Sequence, residues 1–182
     1  MRAFTDLDHR LSVVKRWGTA QTIHQQSVAE HIFNVERIAL RIAEHWFGIK
    51  DRRILYEIVL WAHHHEDLEA ISGDFPSMVK PYFAEEEMAR EHADVIPVSR
   101  PFNTDVKNIV KLADMLDAWW FLCIERSLGN RYLDNHYDYE PDRIQNFVTD
   151  TWPNNLELYA DVYHFVEDAR EAGSVRHSKR GR

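Results

Sequence analysis

Four separated pieces of this 182-residue chain put polar side chains where a core helix should carry apolar ones. They are His31, the run His63-His64-His65-Glu66-Asp67, Glu69 with Asp74, and Asp114 with Asp117. Burying such groups alone is costly, so each needs a hydrogen-bond partner, an opposite charge or a metal. Asp114 is the clearest case: Val110 lies one turn before it, Ala118 one turn after and Phe121 at the turn beyond, all on one helical face. A lone carboxylate there is destabilising, whereas one bound to a divalent cation beside imidazoles is compensated. Ordinary readings stand beside this one. A single histidine on an apolar face is more often a hydrogen-bonded core residue than a ligand. The HHHED run also reads as a helix end with solvated side chains, and Asp114 as the partner of an arginine.

The elements that must position these groups are helical. Ser27 with Glu30 three residues on is a capping-box start, and Val28, Ile32, Val35, Ala39, Ile42 and Trp46 recur every three or four residues toward Gly48, which turns His31 inward. The spacing predicts a second helix from about Asp51 through the His63 to Ala70 region, ended by Gly73, and the composition of 72–77 predicts a turn. Residues 82–95 form an amphipathic segment whose Glu85, Glu86, Glu87, Arg90 and Glu91 read as a solvated face, followed by interruptions at Pro97 and Pro101. Between Asp105 and Leu128 the positions Val106, Ile109, Val110, Ala113, Leu116, Trp120, Cys123 and Ile124 mark a long helix stopped by Gly129-Asn130. A last helical region follows Pro141, breaks at Pro153 and resumes from Leu156 to Ala169, before Gly173. With no alternating strand and no repeat, the fold class is all-α, a bundle of about five to seven helices. Residues 1–174 are expected to form one domain and 175–182, with Arg176, His177, Lys179, Arg180 and Arg182, a disordered basic tail.

Composition narrows the function classes. An apolar share of 45% with 12% aromatic residues suits a globular core, and no run approaches the roughly 20 apolar residues of a membrane helix. No secretory signal is read in MRAFTDLDHR, and a single cysteine, Cys123, forbids an intrachain disulfide, so a soluble cytoplasmic protein without a membrane partner is expected. The net charge of -8 argues against a nucleic-acid partner, whose phosphates demand cationic contacts.

In order and local context the polar pieces resemble the HD-domain metal-dependent phosphohydrolases, particularly the bacterial 5′-deoxynucleotidase branch and related phage nucleotide phosphohydrolases. The matching stretches are Arg16-Trp17, Ser27-Val28-Ala29-Glu30-His31, His65-Glu66 with Glu69, Gly73-Asp74-Phe75-Pro76-Ser77 with Val79-Lys80, and Val110-Lys111-Leu112-Ala113-Asp114. The resemblance implies an HD-domain helical bundle with metal ligands His31, His65, Glu66 and Asp114, and catalytic carboxylates Glu69 and Asp74. It further implies a phosphate held by Arg16, whose guanidinium matches two oxygens, and a deoxyribose packed on Trp17, whose bulk excludes a 2′-hydroxyl. Asp74, Phe75, Pro76 and Ser77 would line the nucleotide site, with His31 and Asp114 at its metal end.

One position departs from the family pattern: the second residue of the doublet is Glu66 where aspartate is expected. The extra methylene moves the carboxylate by more than about 1 Å, and Asp67 is the alternative ligand. Mixed imidazole and carboxylate donors suit Co, Mn, Zn and Fe alike. The implied reaction is hydrolysis of a deoxynucleoside 5′-monophosphate to deoxynucleoside and phosphate. A phage-type deoxynucleoside triphosphate (dATP-like) triphosphohydrolase and a non-catalytic nucleotide-binding module are the alternatives. The small-molecule partner is thus a deoxynucleotide, and a homodimer or higher homo-oligomer is the expected assembly.

Overall fold

The computed structural model describes residues 9–74 and 103–178, with 173–178 as backbone alone. The Ser27 hydroxyl accepts from the backbone N–H of Glu30 at 3.1 Å and starts α1, Val28–Arg41, as the capping signature predicts. Its buried positions Val28, Ile32, Val35 and Ala39 follow the expected stripe, and His31 is buried with them. At its end the chain relaxes into a π-helical turn, Ile42–Trp46, where Phe47 N–H reaches back five residues to Ile42 C=O at 3.2 Å. Ahead of α1, residues 9–13 are helical, and 14–16 run antiparallel to 26–28 through Arg16 N–H to Gln26 C=O and Val28 N–H to Val14 C=O, both 2.9 Å. This short pairing fixes the position of Arg16.

Asp51 caps α2, Arg52–His64. The predicted single helix reaching Gly73 is broken: residues 65–68 are a turn, and α3 is only Glu69–Ser72. The cause is local competition for the backbone. His65 Nδ1 donates to Ala62 C=O at 2.6 Å, His64 Nδ1 bonds Asp67 Oδ2 at 2.7 Å, and the amides of Asp67, Glu69, Ala70 and Ile71 bond three residues back. The tighter pitch rotates Glu66 and Glu69 away from the positions a straight helix gives them.

Asn103 caps α4, Thr104–Leu128. Gly129, in the left-handed region at φ 95°, ends it in a Schellman closure, with Gly129 N–H on Arg126 C=O at 3.1 Å and Asn130 N–H on Glu125 C=O at 3.0 Å. The fifth helix, α5, is Asp134–Thr151 and starts before Pro141 rather than after it. Pro141 removes one ladder bond, a cost of about 3 kcal/mol in a helix interior, offset by packing of the buried face Glu140, Pro141, Ile144 and Val148. The final helix, α6, is Leu156–Ser178 and continues past Gly173. The amphipathic segment over 82–95 and the interruptions at Pro97 and Pro101 lie outside the described residues, as do 179–182 of the basic tail.

The architecture is all-α, with six α-helices bounded within the described residues. Helix α4 is the hub, packing on α1, α2, α5 and α6. Its Ile109, Leu112, Leu116, Trp119 and Leu122 are buried, and full burial of each such side chain stabilises by roughly 1.5–3 kcal/mol. Trp119 Nε1 donates to Val166 C=O at 3.1 Å and docks α6. Among the described residues no helix is long and apolar enough to cross a membrane.

Candidate metal centre

Three elements meet where α1, α2 and α4 converge: α1 brings His31, the turn after α2 brings His65 and Glu66, and α4 brings Asp114. One ligand atom from each of these four lies within 4.8 Å of the other three. His31 Nε2 is 3.4 Å from Asp114 Oδ1, His65 Nε2 is 3.8 Å from Glu66 Oε1, and the two imidazole centroids are 5.4 Å apart. Asp67, the alternative to Glu66, bonds His64 instead and is not in this cluster.

The hydrogen bonds behind the imidazoles fix which nitrogen faces the cluster. Because a carbonyl can only accept, His65 Nδ1 carries the proton it gives to Ala62 C=O. His31 Nδ1 donates to Asp117 Oδ2 at 2.6 Å, and the Asp117 carboxylate also accepts from Gln26 Nε2 at 3.0 Å and Asn34 Nδ2 at 2.9 Å. Both Nε2 atoms therefore present lone pairs to the shared space, buried and without a hydrogen-bond partner. Such orphaned groups each cost about 1–3 kcal/mol, and a divalent cation satisfies both at once. Burial also pushes the His65 imidazole below its ordinary value, against the opposing pull of Glu66, which keeps it neutral and able to ligate.

The charges fit a cation as well. Burial disfavours ionised Asp114, but the opposite charges of Lys111 and Arg16 hold it well below the usual carboxylate range. Lys111 Nζ donates to Asp114 Oδ2 at 2.6 Å, which leaves Oδ1 facing His31. Arg16 sits against His31 Nδ1 and is 3.6 Å from both Asp114 Oδ1 and Asp117 Oδ2. Its own burial works against its charge, but Asp114, Glu66, Asp117 and Glu69 raise its pKa further. Glu66 and Asp114 thus set two carboxylates beside the two imidazoles, a donor set suited to a divalent ion.

Arg16 leads into a rigid turn. Trp17 is in the left-handed region at φ 60°, a conformation that costs a non-glycine residue about 1–2 kcal/mol. It is held there by its own N–H, which donates to Asp74 Oδ2 at 2.7 Å, and by its ring, which stacks on Phe121 of α4 at 5.3 Å and 9°. His136 of α5 meets the same ring edge-on at 5.7 Å. Glu69 is buried at the start of α3. The structure thus brings Arg16, Trp17, His31, His65, Glu66, Glu69, Asp74 and Asp114 into one region; Phe75, Pro76 and Ser77 lie outside the described residues. Burial pushes the thiol of the only cysteine, Cys123, up to about 12, so it is no nucleophile.

Sequence reasoning singles out Asp117 as a polar residue and quotes Lys111 within a matching stretch without giving either a role, and it misses Gln26 and Asn34. The available signal is the three-residue step from Asp114, which keeps Asp117 beside it on the helix. Asp117→Asn should weaken metal binding about 10- to 100-fold, measured by titrating the apoprotein with Mn²⁺ or Zn²⁺ at constant helicity. Unchanged affinity would remove Asp117 from the metal's support.

The solved structure of the cyanophage S-2L HD phosphohydrolase DatZ, bound to dA and one catalytic Zn²⁺, superposes with a TM-score of 0.70, covering 92% of this chain and 96% of that one at 22% identity. A conserved hypothetical protein from Pyrococcus furiosus has a TM-score of 0.64 at 22% identity, covering 87% and 96%. Among curated proteins, a 5′-deoxynucleotidase of Citrobacter koseri is 28% identical, and 5′-deoxynucleotidase YfbR of Escherichia coli O1:K1 is 27% identical. Each alignment spans 85% of this chain and 86% of the relative. A family model described as 5′-deoxynucleotidase YfbR-like matches residues 3–95.

Proposed function

The chain belongs to the YfbR-like 5′-deoxynucleotidase family, and from that premise we propose that it hydrolyses a deoxynucleoside 5′-monophosphate to the deoxynucleoside and phosphate. The observation that carries the reading is the cluster of His31, His65, Glu66 and Asp114, with two buried Nε2 atoms that lack hydrogen-bond partners. These four residues would hold one divalent transition metal, Co, Mn, Zn or Fe; the phage relative by fold holds Zn²⁺. When bound, such an ion supplies Lewis acidity toward a phosphate oxygen and a water acidic enough to attack near neutral pH.

The chain's own residues do the rest. Arg16, kept charged by its carboxylate neighbours, offers parallel donors to phosphate oxygens and orients phosphorus for in-line attack. Glu69 and Asp74 are assigned the proton transfers: the Glu69 carboxylate takes the proton of the attacking water as the new P–O bond forms, and the Asp74 carboxyl group gives one to the departing 5′-oxygen as the old P–O bond breaks. Asp74 also holds the Trp17 turn, its Oδ2 accepting from Trp17 N–H. Trp17 is the wall against a 2′-hydroxyl, and its strained, doubly anchored backbone and stacked ring give that wall the stiffness that steric exclusion requires.

Turnover of deoxy- and ribonucleoside mono- and triphosphates with several added metals tests the reading. Phosphate should be released from dAMP while dATP stays intact; polyphosphate release from dATP would assign the triphosphohydrolase reaction instead. Preference for dAMP over AMP should be roughly ten- to a hundredfold in kcat/KM, the discrimination a shaped apolar wall achieves against one hydroxyl. It should collapse in Trp17→Ala, and equal wild-type rates on AMP and dAMP would remove the role given to Trp17.

A further inference from the structure

Glu125 is fully buried near the end of α4, far along the chain from the segment it touches. Its Oε2 accepts from the backbone N–H of Ile23 at 2.8 Å and its Oε1 from that of His24 at 2.6 Å. Asn130 Nδ2 donates to the same Oε2 at 2.5 Å and also to Gln21 C=O at 2.8 Å, while Asn130 Oδ1 accepts from Tyr132 N–H at 2.9 Å. Every group converging on the carboxylate is a donor, and its two oxygens accept all three. The pair therefore clamps residues 21–24, the return arm of the segment that starts with Arg16 and Trp17 and rejoins it through the Arg16 to Gln26 backbone bond. One turn before Glu125 on the same helix, Phe121 stacks on Trp17 and meets His24 at 6.1 Å.

We propose that Glu125 and Asn130 form a positioning pair that fixes the Arg16–Ser27 segment and so sets how tightly and how selectively the sugar-phosphate of a deoxynucleoside monophosphate is held. Neither residue belongs to the four-donor cluster. The pair acts through the segment: when the clamp is released, Trp17 and Arg16 lose their registration on α4 although the metal ligands do not move. This inference rests on the nucleotidase reading and deepens it, since it names what defines substrate fit at that site.

The test uses the metal-loaded full chain and its Glu125→Gln variant, whose side chain is isosteric but has a single acceptor oxygen. Bound metal is measured by elemental analysis, kcat and KM on dAMP and AMP, and amide hydrogen exchange over residues 16–26. Expected are unchanged metal content, kcat within about threefold, KM for dAMP raised roughly tenfold, as a displacement of about 1 Å allows, a reduced dAMP to AMP ratio and faster exchange in 16–26. Asn130→Ala, which leaves the carboxylate its two backbone partners, should move the same quantities in the same direction by less, and it replaces Glu125→Gln if that variant does not fold. A folded variant of an active wild type with unchanged KM, ratio and exchange would overturn the clamp, as would a loss confined to kcat. A wild type inactive on every nucleotide would instead overturn the functional reading and the selectivity role with it.

Discussion

Asp114→Asn is expected to bind no stoichiometric metal and to lose hydrolysis of dAMP by about a thousandfold or more, a drop of the order of 4 kcal/mol in transition-state stabilisation. Three groups meet on this carboxylate: His31 Nε2 at 3.4 Å, Lys111 Nζ at 2.6 Å and Arg16 Nη2 at 3.6 Å. Asparagine keeps the volume but withdraws the charge, taking from Lys111 and Arg16 a counter-ion they share at the place where a further positive centre must bind. Breaking a buried pair in this way costs about 3–5 kcal/mol, so circular dichroism must accompany the elemental analysis. A folded Asp114→Asn protein with full metal content and normal turnover would show that the cluster is not the reacting centre.

Glu69→Gln is expected to separate metal binding from chemistry. The variant should keep its metal while kcat falls about 10²- to 10⁴-fold, the usual worth of a positioned acid-base group. Its pH-rate profile should also lose the limb that the carboxyl group imposes. Loss of metal instead would make Glu69 a ligand, and an unchanged kcat would transfer the proton to another group.

The stripes of α1 and α4, the Ser27 cap and the Gly129 stop are legible in sequence because they are local: Ser27 with Glu30, and Gly129, act within one turn of the residues they terminate. The break at residues 65–68 is not legible in the same way. Periodicity counts apolar positions, whereas that turn is made by imidazoles competing for backbone and neighbouring oxygens. Likewise Pro141 and Gly173 read as boundaries by propensity, yet burial of the α5 face outweighs the first and α6 runs through the second. In the site, His31 and Asp114 stand out as polar residues on apolar faces. Glu125 does not, since a glutamate near a helix end reads as solvated until a segment 101 residues away folds onto it.

The contacts of α4 lie along one edge: Asp114 at the metal cluster, Asp117 behind His31 and Arg16, Phe121 under Trp17, and Glu125 on the 21–24 segment. At about 1.5 Å per residue this edge is a graduated scale roughly 16 Å long, with the phosphate end at one mark and the specificity loop at another. Removing one residue between Asp117 and Phe121 would turn every later mark by about 100° while leaving the first two in place. The helix therefore transmits length as well as identity: its residue count encodes the distance between the bond that is cut and the feature by which the substrate is chosen.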